Sequence, residues 1–445
     1  MSSWFARLVG RGAPTRGAPA SALAPASSRA ASPSSQGGPP KPAPAASLPV
    51  ARRPLIDREG RLAGFEFPLP EMLARRMAQG AEVTVIGAHL SAWIAATRPV
   101  AESGRVALVE LPRPLPASWL ARPALQAQLK CQWLVLDDAC FAVDAGASLD
   151  ALRSIGTVLG SAQALQPGAS FVHIDATGID RRAACAAIAE CRTAAPRTRV
   201  VVAGLGDVDD VEAVLAAGAD LAAGHHERHG AARGAAPLPP AMARVTRLLN
   251  RVLHDAELSE IAAELRSDVS LSYELLRHAN SPLLGLRRQI DATDQAVLLL
   301  GRDAIYRWLC ARLLAALPGR PTARALQEIA LARAMLFERL AGAVGASAPT
   351  LYTMGLLSLL DVMLPMPMAD AVAPLKLPPD MVAALVERRG PWAPLLALAA
   401  ALERGDLATA GVHAERYGGL QAVLAADEVA WQSAAQSAAV LWARH

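Results

Sequence analysis

Lysine is nearly missing from this chain: Lys41, Lys130 and Lys376 are the three in 445 residues. Arginine supplies the rest of the positive charge, so no lysine point charge or Schiff-base amine is available between 131 and 375. A Walker A phosphate loop is excluded too, because no lysine follows a glycine and precedes serine or threonine. Asparagine is absent before Asn250. Charged residues make up 19%, below the ~25% of an average globular protein, and alanine fills most of the difference. No run approaches the ~18 consecutive apolar residues of a membrane-spanning helix; stretches such as 394–402 fall well short. No span is expected. The five cysteines (Cys131, Cys140, Cys185, Cys191, Cys310) show no CxxC spacing and follow no secretory apolar region. They read as small buried apolar residues in a reducing compartment.

What is present is a 53% apolar content, enough to bury a large core and to exclude global disorder. The length suits two or three domains at ~100–200 residues each. A net charge of +4 over this length is weak, so nucleic acid is not an expected partner.

Residues 1–48 are rich in Ala, Pro, Ser, Gly and Arg and read as a disordered tail. Trp4, Phe5 and Leu8 beside Arg7 and Arg11 read as a solvated tail end, with a short peptide anchor as the alternative. Arg11 follows the apolar stretch too soon for a signal peptide. From about 50 to 224, β-prone runs occur at Gly64–Phe67, Val83–Ile86, Val106–Leu111, Trp133–Leu136, Phe171–Ile174 and Val200–Val202. Stretches with helical spacing, such as Arg182–Cys191 and Val208–Leu215, separate them. The alternation predicts a parallel sheet or a β/α barrel. At about 175 residues against ~250 for a full barrel, its loops and helices must be trimmed.

Residues 224–237 form a polar, glycine-punctuated hinge. Beyond it the β-branched runs vanish and amphipathic helices follow. Ala241–Leu253 places Val245, Leu248, Leu249 and Val252 on one face. Asp255 is expected to cap a helix over 256–266 and Asp268 one over 269–279. Asn280-Ser281-Pro282 stops that helix, and Asp291 or Thr293 opens another that ends near Gly301.

Several candidate chemistries read better as structure. His254-Asp255, with His225, His226 or His229 upstream and Asp303 downstream, suggests a metal phosphohydrolase, but the pair falls at a helix break. The three upstream histidines lie in a flexible linker without a well-spaced fourth ligand. In Gly204-Leu205-Gly206 the third glycine of a dinucleotide fingerprint is replaced by Asp209, which would repel a pyrophosphate. Asp207, Asp209 and Asp210 instead complement a helix dipole. Met354, Met363, Met366 and Met368 read as ordinary core, with an adaptable partner groove as the alternative. His173 and Asp175 share one strand face and can both point into a barrel mouth.

Two stretches resemble known families. Ala51-Arg-Arg-Pro-Leu-Ile-Asp-Arg-Glu-Gly-Arg-Leu-Ala-Gly-Phe-Glu66-Phe resembles the start of an EAL domain, the cyclic di-GMP phosphodiesterase barrel, in the divergent form that precedes an HDOD domain. Glu66 stands at the Glu of the EAL motif. Phe171–Asp175 resembles the strand of a Lys-x-Asp motif, and Gly218–Gly224 the final strand. From Leu238 to about Trp308 the chain resembles the HDOD domain. The carriers are Leu238-Pro239-Pro240, Ser267-Asp268-Val269-Ser270-Leu271, Leu275-Leu276-Arg277-His278-Ala279-Asn280-Ser281, Gln295-Ala296 and Leu300-Gly301.

The resemblance implies a site of two divalent ions held by several carboxylates and an Asn, with an assisting Lys. Here the Asn is absent, His173 replaces the Lys, and Leu159-Gly160-Ser161-Ala162-Gln163 stands where paired aspartates are expected. The Glu expected on the sixth strand falls near Gly204 and the expected terminal Gln near Ala223, so neither is present. Glu66 and Asp175 survive; Asp137-Asp138 would restore at most part of a site. The expected fold class is therefore α/β, a degenerate TIM-like EAL-like barrel, followed by an all-α HDOD domain. The expected boundaries are a tail at 1–48, the barrel at 49–224, a linker at 225–236, and HDOD with a C-terminal helical extension at 237–445. Glu66, His173 and Asp175 are vestigial site positions, and Asp268, Asn280, Ser281 and Gly301 a structural signature. The expected function is cytoplasmic and non-catalytic, with no cofactor or metal, exerted on regulatory protein partners in or near cyclic di-GMP signalling. Its alternatives are weak cyclic di-GMP binding as a receptor and residual phosphodiesterase activity.

Overall fold

The computed structural model describes residues 50–441 apart from 80–82, 113–119, 121, 142–145, 163–164, 227–239, 282–288, 317–318 and 365. The expected tail and most of the expected linker lie outside the described residues. Eight strands close a barrel in chain order. They are β1 (Arg53–Asp57), β2 (Leu62–Phe67), β3 (Val106–Glu110), β4 (Trp133–Leu136), β5 (Val158–Ser161), β6 (Phe171–Asp175), β7 (Arg199–Leu205) and β8 (Leu221–Gly224). β1 runs antiparallel to both neighbours, and the other pairs are parallel. Its start therefore lies beside the C-terminal ends of the parallel strands.

The helices between strands are α1 (Glu71–Ala78), α2 (Val83–Glu102), α3 (Pro123–Gln128), α4 (Gly146–Ser154), α5 (Arg181–Ala194) and α6 (Val208–Ala216). Among the described residues none lies between β5 and β6, and β1 joins β2 by a turn. Val83–Ile86, expected as a strand, is the first turn of α2. A short β-branched run carries no period of its own, so its composition does not separate strand from helix.

Alternation sorts each strand. Leu108, Val135, Phe171, Val201, Ala203 and Ala223 fill the interior, while Leu134, Leu136, Val200 and Val202 face the surrounding helices. Gly160 is required there, since a Cβ would sit 2.2 Å from the Phe171 ring.

The rest is helical: α7 (Pro240–Leu253), α8 (Leu258–Ser267), α9 (Val269–Ala279), α10 (Thr293–Ala315), α11 (Ala323–Leu340), α12 (Ala348–Leu357), α13 (Leu360–Met363), α14 (Met368–Val372), α15 (Pro379–Glu387), α16 (Ala393–Arg404), α17 (Leu407–Ala414) and α18 (Leu420–Leu441). The apolar face of α7 is buried as expected. Met354, Met363, Met366 and Met368 are all core. Among the described residues, no helix is long and apolar enough to cross a membrane. All five cysteines are free, but only Cys140 and Cys310 are buried; Cys131 is exposed, in a left-handed turn.

Asp255 does not cap α8. It adopts φ 55° and is exposed, and Glu257 occupies the cap position without a side-chain bond. α10 opens at Thr293, one of the two expected starts, with Ala292 in the cap position. The helix does break at Gly301 (φ 75°, ψ 174°), but a second helical stretch continues to Ala315. That φ is what the glycine provides, because nothing lies within 4 Å of a Cβ there.

The helical region is packed onto the barrel. Arg320 binds Asp209 (2.5 Å) and Glu212 (2.8 Å) at the start of α6, and the Thr322 hydroxyl donates to Glu212 at 2.6 Å. The Ala325 N–H donates to the Gly60 carbonyl at 3.0 Å in the β1–β2 turn.

Candidate functional site

The strand register builds the site. Arg53 is the Cα partner of Glu66, and Glu66 in turn pairs with the inward-facing Leu108. His173 pairs with inward-facing Val201, and Asp175 follows on the same face. These side chains meet in a cavity of about 330 Å³ at the C-terminal mouth, together with Glu110, Thr177 and Ala203.

Glu66 lies at the floor, 1% exposed. The Arg53 guanidinium approaches its Oε2 at 3.5 Å, and His173 Nε2 approaches Oε1 at 3.4 Å. Burial pushes the Glu66 carboxyl upward, but His173 and Arg53 outweigh it and hold the group below the usual carboxylate range. Glu66 is therefore an anion neutralised inside the protein. The 3.4 Å approach is long for a hydrogen bond, and among the described residues neither His173 nitrogen completes one of normal geometry. Asp175 is exposed above it, and its Oδ1 accepts from the Thr177 N–H at 3.0 Å. Burial raises this carboxyl, yet the Thr177 bonds bring it below the ordinary value.

Glu66, His173 and Asp175 thus come together as the sequence predicts. Two residues of the site were not predicted. Arg53 needed the β1–β2 register, and Glu110 needed recognition that it ends an inward strand face, two positions after Leu108. Glu110 brings the lining carboxylates to three, where two were expected. Asp137 and Asp138 stay outside: Asp137 accepts from the Ala139 N–H at 2.9 Å and Asp138 from the Ala162 N–H at 3.3 Å.

The two-ion donor set fits this mouth poorly. A guanidinium already stands against Glu66. Gly204, where a further Glu falls, has φ 76°, and a Cβ there would lie 2.3 Å from Thr177 Oγ1 and 2.9 Å from Asp175 Oδ1. Among the described residues no three His, Cys, Asp or Glu side chains are grouped to hold a metal.

The other sequence candidates separate. His254 Nδ1 sits 2.6 Å from the Asn250 carbonyl, and Asp255 faces Arg302 at 3.7 Å. His229 lies outside the described residues. His226 belongs to no exposed hinge: it is 2% exposed, with Nδ1 3.5 Å from Glu403. Asp207 caps α6, accepting from Asp210 N–H at 2.8 Å.

In the helical region the signature residues serve the backbone. Asp268 caps α9, accepting from the Ser270 and Leu271 N–H groups at 3.0 and 3.1 Å. Asn280 ends α9; its Nδ2 donates to the Ile290 carbonyl and its Oδ1 accepts from the Ile290 N–H, both at 2.7 Å. Ser281 is buried beside it.

Comparison with known proteins agrees with this division. Residues 235–370 match the family model of the HDOD domain. The chain carries an HDOD domain. A Bacillus subtilis protein, YuxH, is 28% identical over 163 residues, 36% of this chain and 40% of its own length. The cyclic di-GMP phosphodiesterase CdgJ of Vibrio cholerae is 30% identical over 141 residues, 31% of this chain and 32% of its own length. The chain thus spans less than half of each curated relative. Among solved structures, an EAL domain protein from Listeria monocytogenes aligns at TM-score 0.32 and 14% identity, over 40% of this chain and 86% of that one. The FimX EAL domain of Pseudomonas aeruginosa, bound to cyclic di-GMP, aligns at TM-score 0.28 and 15% identity, over 40% and 88%.

Proposed function

We propose that this protein is a non-catalytic regulator that acts through protein contacts, in or beside cyclic di-GMP signalling. The observation that carries the proposal is the fate of Glu66. Its carboxylate is matched by Arg53 and His173, so a divalent cation entering the mouth meets a guanidinium instead of an open ligand. The filled space at Gly204 supports the same reading, because no side chain fits there without displacing Thr177. The signalling context is supported by the HDOD match and by the partial identity to CdgJ, named as a cyclic di-GMP phosphodiesterase. Assigning regulation to an HDOD domain is analogy at the level of the family.

The test is turnover and calorimetric binding of cyclic di-GMP by the full chain with Mn²⁺. The expected result is no hydrolysis. Turnover that disappears in Glu66→Ala overturns the proposal. One observation favours a second reading, a receptor that binds without cutting. The buried His173 ring faces the cavity with unfilled hydrogen-bonding capacity, and buried polar groups normally find a partner. Binding without turnover, weakened in Arg53→Ala, would establish the receptor.

A further inference from the structure

The last helix meets the barrel through a set of ionisable groups that the mouth does not use. Arg52, just before β1, pairs with Glu428 of α18. Arg333 of α11 holds both oxygens of Glu403 of α16, at 2.6 and 2.7 Å. His226, beyond β8, stands 3.5 Å from the same carboxylate. Asp427, next to Glu428 on α18, completes the set. Five of these six side chains are more than nine-tenths buried; only Glu428 reaches water.

The charges in this set do not match. Each guanidinium is already taken by one carboxylate, so an ionised Asp427 adds an unmatched buried negative charge, and a protonated one leaves the set balanced. Burial raises the Asp427 carboxyl to about 7; Arg52 opposes, Glu403 and Glu428 add to the rise, and the Trp431 indole opposes. Other ionisable groups on the neighbouring elements have partners of their own. On α11, Glu328 binds Arg105 and Glu338 binds Arg307. Asp361, which also feels Arg333, has the Arg388 charge beside it. His225 and Arg404 line the same narrow space as His226, Arg333 and Glu403, and Asp406 caps α17.

The element that carries Asp427 also makes the contact with the barrel wall. Trp431, one turn further along α18, meets Phe65 of β2 edge-on, with ring centroids 4.8 Å apart, and Arg52 lies over the Phe65 ring at 5.3 Å. Phe65 directly precedes Glu66, so this contact bears on the strand that floors the mouth.

We propose that this junction is a pH-sensitive latch: α18 is held against β1 and β2 while Asp427 carries a proton and loosens from them when the proton leaves. The proposal goes beyond the regulatory reading and stands without it, because it adds an input that needs no ligand in the mouth. A carboxyl raised by folding favours the docked form at low pH. The grip is complete below about pH 4, where a free carboxyl is protonated too, and is lost as pH rises through 7.

The test is amide hydrogen exchange of the full chain, read by mass spectrometry and corrected for the intrinsic pH dependence of exchange. Protection of residues 424–434 should fall about tenfold or more between pH 5 and pH 8. Asp427→Asn, with the same shape and no charge, should remove that fall and keep α18 protected at pH 8. Glu428→Gln leaves two carboxylates for two guanidiniums and should remove it as well. A fall that survives in either variant overturns the proposal, as does undiminished protection of α18 at pH 8 in the parent. Equal protection of α11 and α18 at pH 8 would show the chain opening as a whole, which also overturns it.

Discussion

The barrel and the helical region use the same polar residue types in opposite ways. In the helical region Asp268 and Asn280 satisfy backbone groups, because helix ends and loop entries leave N–H and C=O groups without partners. Inside the barrel the strands have already paired their backbone, so Glu66 finds no N–H to receive it and is met by side chains, the Arg53 guanidinium and the His173 ring. A signature in one region is a folding device; in the other it is a charge balance that a ligand or an ion must disturb to enter.

The strongest challenge to this division lies where the two regions meet. Arg333 of α11 holds Glu403 of α16 through two bonds of 2.6 and 2.7 Å, both residues buried, with His226 of the chain leaving β8 beside them. Burial opposes the Glu403 charge, but Arg333 and His226 prevail and lower the carboxyl to about 2. Removing one partner leaves an uncompensated buried charge, so Arg333→Ala should destabilise by about 3–5 kcal/mol. Urea unfolding followed by circular dichroism and tryptophan fluorescence should still show one transition for both regions. Two separated transitions would break the comparison into two independent units.

A second change sharpens the picture with pH. Asp427 of α18 is buried near Arg52 at the start of β1, and Arg52 pairs with Glu428. Burial raises the Asp427 carboxyl to about 7, against the pull of Arg52 and with the push of Glu403 and Glu428. A folded value above the unfolded one favours the protonated form, so its stabilising effect is complete below about pH 4 and is lost as pH rises through 7. Asp427→Asn should therefore gain roughly 2–4 kcal/mol over the parent at pH 8 and little at pH 4, read from unfolding curves at both. Glu403 works in the other direction: its contribution is present above the ordinary glutamate value of 4.5 and fades as pH falls toward 2.

The smallest effect separates a real cap from an apparent one. Asp268→Ala should cost about 1 kcal/mol by freeing two N–H groups, while Asp255→Ala should cost less, through the poorer fit of alanine to a left-handed backbone alone. Equal losses at both positions would remove the distinction.

Much of this was legible before folding. Asp268, the stop at Asn280, the apolar face of α7 and the shared face of His173 and Asp175 follow from local chemistry and period. Strands β1 and β5 were not legible: Arg53–Asp57 carries two charged residues and a proline among five, and Val158–Ser161 spans four residues with a glycine. Val83–Ile86 failed for the opposite reason: its composition is β-like, but the run opens a 20-residue helix. Asp255 has the residue type of a cap, but its backbone turns left-handed two residues before the cap position.

Local patterning, then, was sufficient for an alternating half followed by a helical half, and for His173 and Asp175 on one strand face. Pairing between strands and packing between regions were needed for the rest. The β1–β2 register set Arg53 opposite Glu66, the closed sheet brought Glu110 to the same rim, and packing laid the last helices against the barrel. Those contacts join residues from 13 to 376 positions apart, and no local periodicity records which element a segment will pair with.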